Sequence, residues 1–153
     1  MPVPVIRPAR PDEYDEIARV WMESFVSTGL GDSSPSLLAQ LRDRASREVE
    51  KGWSLYVADD NGRIAAMLAL HVPDRYLDQL FVAPEYQRGG LGRRLLRFTR
   101  EKLPDEIWLR CIRENDNAWR WYEREGFVFE REAVEPMNGF TMKYYRWKKG
   151  AAP

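Results

Sequence analysis

The sequence is poor in cysteine and histidine, with one of each among 153 residues. A single cysteine cannot close an intrachain disulfide, and the two side chains together provide too few ligands for an ordinary zinc site. We therefore expect neither a disulfide framework nor a bound metal. Because disulfide-dependent folds belong to oxidising compartments, this composition favours a reducing one.

Long hydrophobic runs and a net charge are also missing. No segment approaches the roughly 18 apolar residues of a membrane span, and the N-terminal segment lacks the apolar core of an export signal. Lysine plus arginine and aspartate plus glutamate number 24 each, so the formal net charge is zero. These absences predict a soluble cytoplasmic protein with neither a nucleic-acid nor a membrane partner.

The periodicity of the apolar residues predicts the order of the secondary structure. A strand at residues 3–7 is followed by two helices, three strands, a helix, a strand, a helix and two strands. The last of the three successive strands is Tyr76–Val82, and the next strand along the chain is Glu106–Ile112. This order predicts an α/β protein of mixed α+β character. We assign one domain to residues 1–148 and a disordered tail to residues 149–153.

The sequence Gln-Arg-Gly-Gly-Leu-Gly at residues 87–92 joins a predicted strand to a predicted helix. The first N–H groups of a helix lack internal partners, and glycines let a phosphate approach them closely. Basic side chains add positive charge nearby, at Arg88, Arg93, Arg94, Arg97, Arg100 and Lys102. The pattern predicts a turn that binds a diphosphate. The alternative is a flexible turn before an ordinary basic helix.

Two familiar phosphate-binding patterns do not fit this turn. The Rossmann pattern fails because Leu95 stands where its third glycine should be, and the P-loop fails because no Gly-Lys-Ser/Thr follows. We therefore expect a different phosphate-bearing ligand.

Two stretches resemble the motifs of the GNAT superfamily of N-acetyltransferases. The first, LFVAPEYQRGGLGRRLL, is similar to Gln/Arg-x-x-Gly-x-Gly/Ala after a strand and matches at Leu80, Val82, Pro84, Gln87, Gly90 and Gly92. The second, NDNAWRWYEREGF, is similar to another family signature and matches at Asn115, Ala118, Trp121, Tyr122, Gly126 and Phe127. Residues 5–25 also look like the first strand and helix of the family, so the resemblance covers nearly the whole chain.

The resemblance implies a GNAT fold, in which about four helices flank a central mixed, splayed sheet of six to seven strands. It also implies acetyl-CoA as co-substrate and a primary amine of a small molecule or peptide as acceptor. In the family, the turn amides bind the pyrophosphate, the preceding strand binds the pantetheine arm, and the amide at the Val82 position faces the reacting carbonyl. The corresponding coenzyme-binding residues are Leu80, Phe81, Val82, Gln87, Arg88, Gly89, Gly90, Leu91, Gly92, Arg93 and Asn115.

Two side chains are candidates for the proton transfers of direct acetyl transfer. Tyr122 matches the acid position of the family, and the alternative for it is a core aromatic beside Trp121. Asp78 is our candidate base because strand alternation places it on the face of Tyr76 and Val82. The alternative is that Asp78 only forms an ion pair with an arginine.

Three other residues bear on the choice of base or nucleophile. Some family members carry a glutamate where this sequence has Arg110, so that base is not carried over. His71 ends a predicted strand and has an ordinary pKa suited to neutral pH, but a structural role is the alternative. Cys111 lies within an apolar strand, and we expect it to be an inert core thiol.

The acceptor cannot be identified from these motifs. The resemblance implies that residues 27–36 and 135–140 select it, with Trp21, Phe25, Trp53 and Tyr56 as possible pocket residues or core aromatics. A non-catalytic acyl-CoA-binding sensor is the alternative function. The aromatic strand FTMKYYRW is expected to pack within a sheet or at a homodimer interface.

Overall fold

The computed structural model describes residues 3–150, which form a single sheet covered by helices on both faces. The strands are β1 (Val5–Pro8), β2 (Ser54–Asp60), β3 (Arg63–His71), β4 (Tyr76–Val82), β5 (Glu106–Ile112), β6 (Val128–Val134) and β7 (Thr141–Lys148). The helices are α1 (Tyr14–Val26), α2 (Pro35–Glu50), α3 (Leu91–Lys102) and α4 (Asp116–Arg124). The predicted order of elements is confirmed.

The sheet has seven strands in the order β1-β2-β3-β4-β5-β7-β6. All neighbours are antiparallel except β4 and β5, which run parallel. A parallel connection needs a crossover, and α3 provides it between β4 and β5. The mixed, splayed sheet flanked by four helices confirms the expected fold class.

Local sequence explains where the elements begin and end. The Ser34 hydroxyl accepts a hydrogen bond from the Leu37 amide at 2.9 Å, and Pro35 opens α2 at a position where its missing N–H is not needed. The turn between β2 and β3 uses positive φ at Asn61 and Gly62, as an Asn-Gly hairpin requires. Gly126, also at positive φ, follows α4.

Two apolar clusters cover the two faces of the sheet. One contains Ile17, Val20 and Trp21 from α1 together with β2 and β3 residues. The other packs Leu95 and Leu96 of α3 against β5 and β7, with the fully buried Tyr145 among them. Burial of these side chains is the main favourable term in folding.

The ends of the chain differ slightly from the predicted boundaries, since β1 spans Val5–Pro8 and not residues 3–7. The first helix begins at Tyr14, after a separate 3-10 turn at Pro11–Glu13 in which Glu13 accepts a hydrogen bond from the Arg10 amide. At the other end, the Lys149 amide donates to the Asp105 carbonyl at 2.9 Å. The predicted tail at 149–153 lies largely outside the described residues and stays a prediction. Within residues 3–150, no helix has the length and apolarity to cross a bilayer.

Candidate active site

Strands β4 and β5 separate almost as soon as they meet. Tyr76 and Trp108 are the one residue pair that joins them within residues 3–150, and their rings stack with centroids 3.9 Å apart. The Trp108 amide donates to the Arg75 carbonyl at 3.0 Å. Beyond this point the strands diverge, so the second half of β4 has a neighbour on one side only.

The backbone of β4 presents free groups to this gap. The Ala83 amide donates to the Ala65 carbonyl at 2.8 Å, and Val82 lies opposite Ala66 in the antiparallel register. Because hydrogen-bonded and non-bonded pairs alternate, the main-chain groups of Leu80 and Val82 point away from β3. The Val82 carbonyl accepts a hydrogen bond from the Gln87 side chain at 3.0 Å, while its N–H faces the gap.

The glycine-rich turn follows β4 and is open to solvent. Arg88 and Gly90 both adopt positive φ, of 68° and 82°, and α3 begins at the next residue, Leu91. No acceptor within residues 3–150 takes a hydrogen bond from the backbone N–H groups of residues 88–93. The exposed turn therefore presents six successive unpaired donors at the positive end of a helix.

The basic side chains around the turn are not all equally available. Arg93 pairs with Glu125 at 2.8 Å, and this hydrogen bond raises the pKa of Arg93. Arg94 donates to the Pro4 carbonyl at 2.8 Å. The positive charge that remains for a ligand comes chiefly from the helix end and Arg88, which is exposed.

A cleft of about 480 Å³ lies where β4 and β5 part. This volume falls within the range of small-molecule sites. The predicted site residues that line it are Asp78, Leu80, Phe81, Asn115 and Tyr122. The glycine-rich turn lies beyond it, and Gln87, Gly89 and Leu91 border a second cavity of about 260 Å³.

Tyr122 lies at the inner wall of the cleft and is 6% exposed. Its ring packs edge-on against Phe127 at 5.4 Å and near Trp121 at 4.9 Å. Burial raises the pKa of Tyr122 well above its ordinary value, with a smaller contribution from Cys111. The side chain is thus both a core aromatic and a protonated phenol that borders the cleft.

Asp78 also borders the cleft, but the predicted alternation that placed it with Val82 is wrong. Ala69 pairs with Gln79 and Leu70 with Leu77, so Asp78 is the extra residue of a β-bulge. A bulge interrupts the alternation and redirects the side chain. Asp78 therefore points toward the α1 and α2 face, whereas Val82 packs against the α3 face.

The Asp78 carboxylate is held by neutral donors. It accepts hydrogen bonds from the Trp53 indole at 2.8 Å and from the Gln79 side chain at 3.0 Å. The nearest cation is Arg44, whose Nη2 lies 4.0 Å from Asp78 Oδ1. Asp78 thus has an arginine ion-pair partner, as in the alternative interpretation of this residue, although the separation is longer than a hydrogen bond.

Arg110 occupies the wall where some family members have a glutamate. Its guanidinium donates to Glu135 at 2.7 Å and to the Tyr76 hydroxyl at 3.2 Å. Burial opposes the charge of Arg110, but the contacts with Glu135, Tyr76 and Tyr144 together outweigh it and raise the arginine pKa. Burial raises the pKa of Tyr76 to about 12. Neither side chain can serve as a base near neutral pH.

His71 and Cys111 have different surroundings. His71 is not among the residues of the described chain that line the cleft, and its Nδ1 lies 2.8 Å from Asp74 Oδ2. Cys111 does line the cleft but is 8% exposed, and burial raises its thiol pKa to about 12. Its burial in the core agrees with the expected inert thiol.

Some residues of the cleft were not singled out from the sequence. Gln40 and Arg44 line it from α2, four residues apart and beside the apolar stripe of Leu37 and Leu41. Asn138 and Phe140 line it from the final hairpin, which the sequence analysis gave as a specificity region. Of the four aromatic candidates, Trp21 and Phe25 line the cleft, whereas Trp53 and Tyr56 pack in the core.

The sequence is similar to those of known acetyltransferases. A family model described as the Acetyltransferase (GNAT) family matches residues 14–127. A probable N-acetyltransferase of Mycobacterium tuberculosis is 29% identical, over 97% of this chain and 95% of the relative. The peptidyl-lysine N-acetyltransferase YiaC of Escherichia coli is 24% identical, over 80% of this chain and 82% of its own.

A solved structure shares the fold. The PaiA N-acetyltransferase from Thermoplasma acidophilum, in complex with coenzyme A, superimposes with a TM-score of 0.74 at 20% identity. The match covers 97% of this chain and 99% of that protein.

Proposed function

Because the chain belongs to the GNAT family of acetyltransferases, we propose that it transfers an acetyl group from acetyl-CoA to a primary amine by direct attack. The observation that carries the proposal is the combination of a gap between β4 and β5 with unpaired turn amides at its end. The gap offers a place for an extended ligand beside β4, and the amides offer a place for its anionic end.

The residues fit a diphosphate-bearing thioester in two places. The amides of residues 88–93 would bind the diphosphate, because they have no acceptor among the described residues and lie at the positive end of α3, in a turn whose residues 88–90 are exposed. The main-chain N–H and carbonyl of Leu80, which point away from β3, would bind the amide-containing arm as a neighbouring strand does. Asn115 borders the cleft at the start of α4 and would contact the same arm. When bound, the thioester supplies an activated carbonyl.

The Val82 amide is the proposed donor to the oxygen of that carbonyl. Its N–H faces the gap, and the Phe81 carbonyl of the same peptide occupies a hydrogen-bonded position opposite Met67, so this peptide is held in one orientation. A donor fixed before the reaction stabilises developing negative charge without reorganising. A single donor of this kind contributes about 3 kcal/mol to transition-state stabilisation.

Tyr122 is the proposed acid that protonates the departing thiolate. A phenol whose pKa is raised is a weaker acid, but burial has the same effect on a thiol in the same cleft. Cys111 shows the effect, since burial raises its pKa to about 12. The proton affinities of donor and acceptor therefore rise together, and transfer from Tyr122 stays feasible.

Asp78 is the proposed base, acting through water. It lies four residues from Val82, roughly 12 Å along the strand, which is too far for direct contact with an amine at the carbonyl. The carboxylate opens into the cleft, where its hydrogen bonds from Trp53 and Gln79 fix its position. A chain of waters between the amine and Asp78 would carry the proton to it.

One experiment tests the proposed function by following binding and turnover separately. Calorimetry should detect strong binding of acetyl-CoA and little binding of ATP, because the gap accommodates the arm that ATP lacks. With acetyl-CoA and a panel of amines, including lysine peptides like the acceptors of the relative YiaC, free thiol should accumulate. Binding without thiol release for any amine would support the sensor alternative and contradict the enzyme.

A further inference from the structure

Among the described residues, three charged side chains line the cleft: Asp78, Arg110 and Arg44. They differ in how many hydrogen bonds each already makes. Arg110 is committed to Glu135 and to the Tyr76 hydroxyl. Asp78 accepts two hydrogen bonds from neutral donors. Arg44 makes no hydrogen bond within residues 3–150, so it is the charged group whose donors remain available.

Arg44 is nevertheless held in place. Its guanidinium lies over Trp21, 5.3 Å from the ring centroid, and over Trp53 at 5.9 Å. Both indoles belong to the buried core, and 39% of the Arg44 side chain remains exposed. Packing against aromatic faces fixes a guanidinium without using its N–H groups, which leaves them for a ligand.

The ion pair with Asp78 does not use up these donors. The separation of 4.0 Å exceeds hydrogen-bond length, and Asp78 would keep its Trp53 and Gln79 partners if Arg44 turned to a ligand. A positive group and a negative group therefore stand side by side on one wall. Such a wall matches a molecule that carries both an ammonium and an anion.

We propose that Arg44 binds a carboxylate of the acceptor, so that the acceptor class is a small aminocarboxylate. This inference rests on the proposed function, since it names the substrate of the same cleft. A planar guanidinium pairs with a planar carboxylate through two parallel hydrogen bonds. One available arginine suits a single negative charge better than a phosphate dianion. Asp78, beside it, adds negative charge to the cleft and so favours entry of a molecule that also carries an ammonium.

Matched acceptors test the proposal. Amino acids with three to six carbons between the amine and the carboxylate would each be compared with their carboxamides, by thiol release from acetyl-CoA. We expect kcat/KM to favour the best carboxylate over its carboxamide by about 10- to 100-fold, the effect of a hydrogen-bonded charge. A matched aminophosphonate should be a poorer acceptor than the carboxylate.

Variants of Arg44 test whether this side chain causes the preference for carboxylates over carboxamides. Arg44→Gln should raise KM for the carboxylate to that of the carboxamide, with kcat nearly unchanged, because uniform binding is lost. Arg44→Lys should keep part of the preference for carboxylates, because lysine has the positive charge but lacks the two parallel N–H donors of the guanidinium. Arg42→Gln is the control, because Arg42 lies on the same helix, is 52% exposed and pairs with Asp15 outside the cleft.

A second measurement is independent of turnover. In the protein saturated with coenzyme A, calorimetry should detect aminocarboxylate binding that is lost in Arg44→Gln and kept in Arg42→Gln. Acetylation with no preference for carboxylates would overturn this inference and leave the proposed function standing. No acetylation of any amine would overturn both, and a preference that survives in Arg44→Gln would overturn the role of Arg44.

Discussion

At the scale of single residues, the cleft combines the two side chains proposed for the proton transfers, Tyr122 as the acid and Asp78 as the base. Tyr122 is held by aromatic packing, and burial keeps its pKa above the ordinary value, so it stays protonated. Asp78 is held by hydrogen bonds at a β-bulge, which directs its carboxylate into the cleft. Their roles can be separated by substitutions that keep shape and remove chemistry.

Replacing Tyr122 with phenylalanine removes the hydroxyl and keeps the packing with Phe127 and Trp121. We expect kcat to fall by roughly ten- to a thousandfold, because the thiolate then leaves without a proton donor. Affinity for coenzyme A, measured by calorimetry, should change little. Undiminished turnover would remove Tyr122 as the acid.

Replacing Asp78 with asparagine tests the base. The amide oxygen can still accept the hydrogen bond from Trp53, so the fold of the bulge should be kept. We expect kcat/KM for a strongly basic amine to fall by about a hundredfold, within the usual range for general bases. The effect should shrink at higher pH, where more of the amine is already neutral. An unchanged rate at neutral pH would show that the amine loses its proton to solvent and not to Asp78.

At the scale of elements, the end of β4 and the start of α3 act together. In the part of the chain that the structure describes, the parting of β4 from β5 leaves main-chain groups without a strand partner, and the turn that follows leaves six amides without acceptors. The turn depends on Gly90, whose φ of 82° costs a residue with Cβ about 1–2 kcal/mol. No heavy atom lies within 4 Å of a Cβ built there, so the free protein has space for one.

Gly90→Ala should therefore weaken both stability and coenzyme binding, through φ strain and a methyl group at the diphosphate. Gly29→Ala is a matched control, since Gly29 has a φ of 80°, equally open space and a place in the α1–α2 loop, apart from the described residues that border either cavity. Thermal melting should show similar losses for both variants. Calorimetry with coenzyme A should show weaker binding for Gly90→Ala only, and equal affinities would contradict the proposed role of the turn.

At the scale of the whole molecule, several ionisable groups are buried in their neutral form. Burial raises the pKa of Cys111 and of Tyr76 to about 12, and it also raises the pKa of Tyr122 and Tyr145. A raised folded-state pKa means that the unfolded chain loses its proton first as the pH rises. The stabilisation from these groups is complete below about pH 9 and disappears toward pH 12.

The free energy of unfolding should accordingly be level between pH 7 and about pH 9 and then fall. Each such group contributes a slope of about 1.4 kcal/mol per pH unit once its unfolded form ionises. Urea unfolding at a series of pH values measures this slope. Cys111→Ala should remove the earliest part of the fall, because the thiol ionises before the phenols in the unfolded chain. Equal slopes in both proteins would show that Cys111 does not contribute.

The sequence by itself determined the order of elements and the position of the glycine-rich turn. These follow from local properties: apolar period, turn residues and the family motifs at Gln87–Gly92 and Asn115–Phe127. Strands such as Tyr76–Val82 were predicted to the residue because proline and turn residues mark their ends.

Only the tertiary structure decided what faces the cleft. The bulge at Asp78 depends on pairing with β3, which lies outside the local pattern, so strand alternation placed its side chain on the wrong face relative to Val82. In the sequence, Arg44 is an ordinary polar position of α2. Packing in the folded protein places its guanidinium over Trp21 of α1 and over Trp53, which immediately precedes β2. Such contacts arise from long-range packing, whereas local sequence specifies only neighbours within a few residues.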